Sequence, residues 1–91
     1  MVSKRLLISG KVQGVFYRRW TEATARSLGL TGWVRNLRSG EVEIHVSGPP
    51  EKVDEMIRRC WEGPPAAQVA QVRSEDIEPE TVPGFSAHAT Y

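Results

Sequence analysis

The chain has 91 residues, room for one compact domain with one hydrophobic core, and the expected organisation is a single domain over residues 1–91. Hydrophobic residues make up 40% and charged residues 25%, an ordinary globular balance, and no apolar run nears the roughly 18 residues of a membrane span. A formal net charge of +1 gives no global attraction for a polyanion, so any anion site must come from local arrangement.

The opening MVSKRLLISGKV places basic residues before an apolar run too short for a signal peptide, with no small-residue cleavage site after it. Residues 5–12 read as a first strand. Lys4, Arg5, Lys11, Arg18 and Arg19 cluster near this end, against the single acid Glu22 among the first 40 residues. Residues 17–28 read as a helix, with Trp20, Ala23, Thr24 and Leu28 on one face and Gly29 as its stop. Residues 31–36 form a second strand, and Leu37-Arg38-Ser39-Gly40 a hairpin connection. Residues 41–47 alternate strictly. Val42, Ile44 and Val46 are expected to face the core, and Glu41, Glu43, His45 and Ser47 to face away.

Gly48-Pro49-Pro50 turns into a second helix with an apolar stripe of Val53, Met56, Ile57, Cys60 and Trp61. Its acids lie toward the start and its arginines toward the end, complementing the helix dipole. Gly63-Pro64-Pro65 ends it. Residues 69–77 read as a fourth strand and 78–84 as a loop. Phe85, Ala87, Ala89 and Tyr91 line one face of a short terminal strand. The order β-α-β-β-α-β, plus that last strand, predicts an α+β ferredoxin-like sandwich: an antiparallel sheet with both helices on one face. The fold alone does not name an activity.

Chemistry concentrates in two stretches. The first is Gly10 to Arg18, G-K-V-Q-G-V-F-Y-R, between strand and helix. Gly10 and Gly14 allow backbone angles closed to other residues, so the loop can turn successive N–H groups inward as an anion nest. A helix N-terminus points at the same place, and a guanidinium at Arg18 can bond phosphate or carboxylate oxygens in parallel. It is neither a Walker A loop nor a dinucleotide-binding fingerprint. The residues alone admit two readings of Arg18: an anion ligand, or a solvated residue at a tight turn. The second stretch is Gly32 to Gly48. Asn36 ends its first strand and can orient a water, since its amide both donates and accepts. From spacing alone the favoured reading of Asn36 is a turn residue bonding its own backbone.

The first stretch resembles the acylphosphatase signature G-x-V-Q-G-V-x-[FY]-R at every fixed position, with Lys11 and Phe16 in the free places. The second resembles the same family's G-aromatic-V-basic-N pattern leading to G-x-V and a later glycine, supplied by Gly32, Trp33, Val34, Arg35, Asn36, Gly40, Val42 and Gly48. The likeness extends over nearly the whole chain. It implies an enzyme that hydrolyses acyl phosphates to a carboxylate and inorganic phosphate by direct in-line attack of water. Arg18 and Asn36 match the catalytic residues, and the backbone of Gln13, Gly14, Val15, Phe16 and Tyr17, with Arg18, matches the phosphate cradle. The resemblance implies no metal and no cofactor, and inorganic phosphate as product and inhibitor. Departures fall at Leu37, where many relatives have threonine, at Ser39 for aspartate, at Gln68 for arginine, and at Thr90 before Tyr91, where a basic residue is common.

Other chemistry-bearing residues read as structural. His45 and His88 have no paired ligand, Cys60 lies on a core stripe, and Trp20, Trp33 and Trp61 are expected in the core. Lys11 and Arg19 admit a role in steering substrate or none. A single cysteine excludes an internal disulfide, and the expected setting is a cytoplasmic monomer with no nucleic-acid or membrane partner. Two rival functions remain: an RNA-binding module, which would need aromatics exposed on the sheet, and a non-catalytic anion-binding domain.

Overall fold

The computed structural model describes residues 1–79 and 82–91. The predicted loop over 78–84 therefore has residues 80 and 81 outside the described residues. The elements are β1 (Val2–Lys11), α1 (Tyr17–Ser27), β2 (Thr31–Asn36), β3 (Val42–Gly48), α2 (Pro50–Cys60), β4 (Gln68–Asp76) and β5 (Phe85–Ala87). The strands form one five-stranded sheet in the order β4-β1-β3-β2-β5. Four of them pair antiparallel, as expected. β5 runs parallel to β2, so the sheet is mixed, with Phe85 opposite Gly32 and Ala87 opposite Val34.

Strand alternation decides the core. Leu6 and Ile8 of β1, Val34 of β2, and Val42, Ile44 and Val46 of β3 are all buried on one face. Register makes them neighbours: Leu6 lies opposite Ile44, Ile8 opposite Val42, and Val34 opposite Ile44. Both helices close over this face, with Val53, Met56 and Cys60 of α2 and Tyr17 and Ala25 of α1 joining the same cluster. The stripe of α1 is rotated from the expected one. Thr21, Thr24 and Ala25 are buried and Ala23 is exposed, because Tyr17 rather than Trp20 is the main aromatic anchor. Trp20 packs edge-on against Tyr17, with ring centroids 5.3 Å apart. Trp61 is 50% exposed, since α2 ends at Cys60 and the chain turns away before it.

Gly10 sits where the β1–β4 register slips after Ser9, with φ +116°. A Cβ there would stand 2.3 Å from the Gln68 carbonyl oxygen, so only glycine lets the strands approach at this bulge.

The other sheet face is not simply polar and exposed. Glu43 points away from the core, as expected, yet only 4% of it is exposed. Arg5 and Arg35, on the strands flanking β3, each donate Nε to its carboxylate at 2.6 Å, and His45 Nε2 lies 3.2 Å away. Ser47 is buried beside Ser3, their hydroxyls 2.6 Å apart. Trp33, expected in the core, lies on this face. Its indole stacks on His45 at 4.0 Å and on His88 at 5.3 Å, with Arg35 over it at 4.8 Å. Period-two alternation sends Trp33 to the side opposite Val34 and Gly32, which no count of aromatic residues reveals.

Burial works against the charged form of Glu43, but the hydrogen bonds from Arg5, Arg35 and His45 outweigh it and bring its carboxyl from 4.5 down to about 2. With the folded value depressed, its contribution is complete above about pH 4.5 and is lost as the pH falls toward 2. That difference corresponds to about 3 kcal/mol. Urea unfolding of the wild-type chain between pH 6 and pH 2 is expected to lose stability over this window, and Glu43→Gln to flatten the acid limb. An acid limb of equal steepness in both proteins would rule out Glu43 as its source.

Candidate active site

The loop between β1 and α1 is built by alternation of anchored and exposed residues. Val12, Val15 and Tyr17 are buried, while Gly14 and Phe16 turn outward. Gly14 has φ +74°, and Phe16, with φ +64°, is the one non-glycine residue at positive φ among the described residues. Left-handed angles at alternate positions turn N–H groups toward one side of the chain. A phenylalanine held there is strained, and the surroundings must fix it. Two neighbours do so. Val15 is packed into the core, and the Tyr17 hydroxyl donates to the Cys60 carbonyl at 2.6 Å. Burial, with Cys60 adding to it, pushes the Tyr17 phenol well above its usual range, so it stays a neutral donor.

Helix α1 starts from this loop with no side-chain cap and no acid in its first turn. The Trp20 N–H, which reaches the Phe16 carbonyl at 3.0 Å, belongs to the helix ladder, whereas the N–H groups before it are the unpaired donors of a helix start. Uncapped N–H groups, a positive dipole end and Arg18 within the first turn suit an anion.

Asn36 comes from the far end of β2, opposite Val42. Its carbonyl accepts the Tyr91 N–H at 2.9 Å. Among the described residues no hydrogen bond to its own backbone occupies its side chain, so the turn-residue reading finds no support. An open pocket of ≈ 470 Å³ brings Asn36 together with Gln13, Gly14, Phe16, Tyr17 and Arg18; Val12, Arg19, Glu22 and Ala87 complete its lining. Val15, whose backbone is expected in the cradle, packs its side chain into the core and so anchors the loop from behind. Of the cation cluster near the N-terminus, only Arg18 and Arg19 reach the pocket. Lys4 and Arg5 pair with Asp76 and Glu43 on the sheet, and Lys11 is exposed at the strand end.

Two ties hold the pieces in place. The Gln13 amide donates Nε2 to the carbonyls of Leu37 and Glu41, at 2.7 and 2.9 Å, joining the loop to the hairpin that carries Asn36. The bond uses the backbone of Leu37, so the residue type there does not alter it. Ser39 contributes to the same turn, its hydroxyl donating to Glu41 Oε1 at 3.0 Å. Gln68 is exposed at the start of β4, away from the pocket. The second tie is Arg18 Nη1 donating to the His88 carbonyl at 2.9 Å. It leaves the other guanidinium N–H groups for a ligand. A backbone carbonyl acceptor has no signature in a sequence, and neither does the lining role of Ala87.

Among the described residues no group of three or more His, Cys, Asp or Glu is placed to hold a metal ion, and no helix is long and apolar enough to cross a membrane. What the pocket offers is a set of backbone donors, the guanidiniums of Arg18 and Arg19, and two carboxamides, of which that of Gln13 is tied to the hairpin, with Glu22 as its one acid.

The chain matches the family model described as Acylphosphatase over residues 4–87. It is 44% identical over 89 residues to the acylphosphatase of Rhizorhabdus wittichii, an overlap of 98% of this chain and 90% of that protein. It is similar in structure to an acylphosphatase from Coxiella burnetii, with TM-score 0.93 and 39% identity over 96% of this chain and 92% of that one. For the acylphosphatase from Bacillus subtilis the TM-score is 0.94, with 29% identity over 97% of this chain and 99% of that one.

Proposed function

The chain belongs to the acylphosphatase family, and from that premise we propose that the pocket hydrolyses acyl phosphates, with Arg18 and the loop N–H groups of residues 13–17 holding the phosphate and Asn36 placing the water. The observation that carries this reading is the convergence on one open pocket of two separate parts of the fold, the loop with Arg18 at the start of α1 and Asn36 at the end of β2.

The chemistry suits so sparse a set of groups. An acyl phosphate is a mixed anhydride whose leaving group is a carboxylate, with a conjugate acid near a pKa of about 4.3. It departs without a strong proton donor. The water oxygen forms its bond to phosphorus as the bond from phosphorus to the acyl oxygen breaks, and the bonding pair leaves with the carboxylate. One water proton stays on the phosphate and the other passes to phosphate or solvent. Phosphoryl transfer of this kind depends on position and charge, which a guanidinium, preorganised amides and one carboxamide supply. Asn36 need not be a base; its amide oxygen accepts from the water while its NH₂ group remains free to donate.

A cytoplasmic monomer is part of the same proposal. Cys60, the only cysteine, is buried, and burial pushes its thiol up to about 12, despite the Tyr17 hydrogen bond that lowers it. It is inert as a nucleophile and unavailable for a crosslink. The rival RNA-binding reading has less support, because Trp33 is engaged with His45 and His88 instead of standing free on the sheet.

Benzoyl phosphate or acetyl phosphate is expected to be hydrolysed with EDTA present and to be protected competitively by inorganic phosphate. Absence of hydrolysis together with salt-sensitive RNA binding would favour the nucleic-acid reading. Absence of hydrolysis with saturable phosphate binding would leave an anion-binding domain.

A further inference from the structure

Arg18 is held from behind by a carbonyl that lies just past the last ladder pair of the sheet. The pairing of β2 with β5 runs from Phe85 to Ala87, and His88 follows directly. Its N–H donates to the Val34 carbonyl at 2.7 Å, and its own carbonyl accepts Arg18 Nη1 at 2.9 Å. The direction of that carbonyl therefore sets where the guanidinium points. His88 is exposed, at the edge of the sheet. Its ring, however, lies nearly parallel to the Trp33 indole, with centroids 5.3 Å apart and planes 10° apart. Its Nε2 is also 3.1 Å from the Ser86 hydroxyl.

Trp33 is itself fixed from the other flank of β2. The indole stacks on His45 of β3 at 4.0 Å and 18°, and Arg35 stands over it while bonding Glu43. An aromatic platform tied to the middle of the sheet thus meets the ring of the residue whose carbonyl grips Arg18. Trp33 lies on the face away from the pocket and is absent from its lining.

We infer that Trp33 is a positioning residue for Arg18, acting through the stacked ring of His88 and the His88 carbonyl. The inference rests on the reading of Arg18 as the phosphate ligand. A flat ring at position 33 holds the His88 backbone in one orientation, and the guanidinium inherits it. Loss of the ring loosens the grip without removing any group that touches substrate.

The test compares Trp33→Leu, which keeps apolar bulk but not the flat ring, with Trp33→Phe, which keeps a ring. Phosphate affinity, kcat and KM for benzoyl phosphate are measured for each, with the urea midpoint as a control for folding. In Trp33→Leu, binding of inorganic phosphate is expected to weaken and kcat/KM to fall by about 10-fold or more, the scale of a small misplacement of a reacting group. Trp33→Phe is expected to recover most of that loss. His88→Ala, which removes the stacked ring but keeps the carbonyl, is expected to move phosphate affinity in the same direction and keeps the test open should Trp33→Leu fail to fold. Unchanged phosphate affinity and turnover in folded Trp33→Leu or in His88→Ala would overturn the inference, as would a Trp33→Phe variant no better than Trp33→Leu. If the wild-type chain hydrolyses neither acyl phosphate, the proposed function fails instead, and the affinity of the variants for phosphate alone still decides the role of Trp33.

Discussion

Asn36→Ala is expected to lose turnover by about 10²- to 10³-fold while still binding inorganic phosphate, because a single preorganised polar group aimed at the reacting atoms is worth about 3–4 kcal/mol in the transition state. The expectation follows from where the residue sits. Asn36 lies at the pocket end of β2, its backbone tied by Tyr91 and its hairpin tied by Gln13, so truncating the side chain leaves the surrounding frame standing. The phosphate ligands proposed above belong to a different segment of the pocket lining, the loop before α1 and Arg18. KM and the inhibition constant of phosphate should therefore change far less than kcat. A folded Asn36→Ala enzyme with near-normal turnover would remove Asn36 from the mechanism.

Arg18→Ala is expected to behave differently, losing both phosphate affinity and turnover. Arginines that stabilise charge on a transferring phosphoryl group contribute about 10³-fold or more to rate. In the proposed function the guanidinium also grips the ground-state phosphate, so binding and rate are expected to fall together. Arg18→Lys keeps a positive charge but loses the planar fork that reaches the His88 carbonyl and the ligand at once, and should recover only part of the loss. Calorimetric titration with phosphate, set beside steady-state kinetics, separates the two residues. Tight phosphate binding by Arg18→Ala would place the anion on the loop N–H groups alone.

Much of the fold could be read from alternation and from the positions of glycine and proline. β3 was clear because Val42, Ile44 and Val46 are spaced by two, and α2 because its apolar stripe lies between Pro50 and Gly63. The core stripe of α1 was harder. Trp20 is the larger side chain, yet Tyr17 is the one buried, because its hydroxyl finds the Cys60 carbonyl and removes the cost of taking a phenol into the core. The outer face of the sheet was opaque for a similar reason. Nothing local announces that Glu43 will be covered, since its partners Arg5 and Arg35 arrive from other strands.

The site divides in the same way. The glycine-bounded loop and the arginine after it carried an anion signal of their own, and the structure gives that loop its two left-handed angles. Asn36 carried none beyond its place at a strand end, and only the resemblance to a family raised it above a turn residue. The Gln13 amide and the His88 carbonyl are contacts between segments distant in sequence, which periodicity cannot reveal. Three aromatic residues expected in the core took three different places: Trp20 half-buried, Trp33 on the outer face and Trp61 at the surface.

The bond from Arg18 to His88 also bears on how the site comes into being. It spans 70 positions of the chain, and the Gln13 bond to Leu37 spans 24. Contacts so distant in sequence are entropically costly to close and tend to form late. A folding chain that has formed its helices and its central hairpin still lacks the acceptor that aims its arginine. Competence for chemistry is thus acquired when the chain closes on itself, and no early fragment carries a working portion of it.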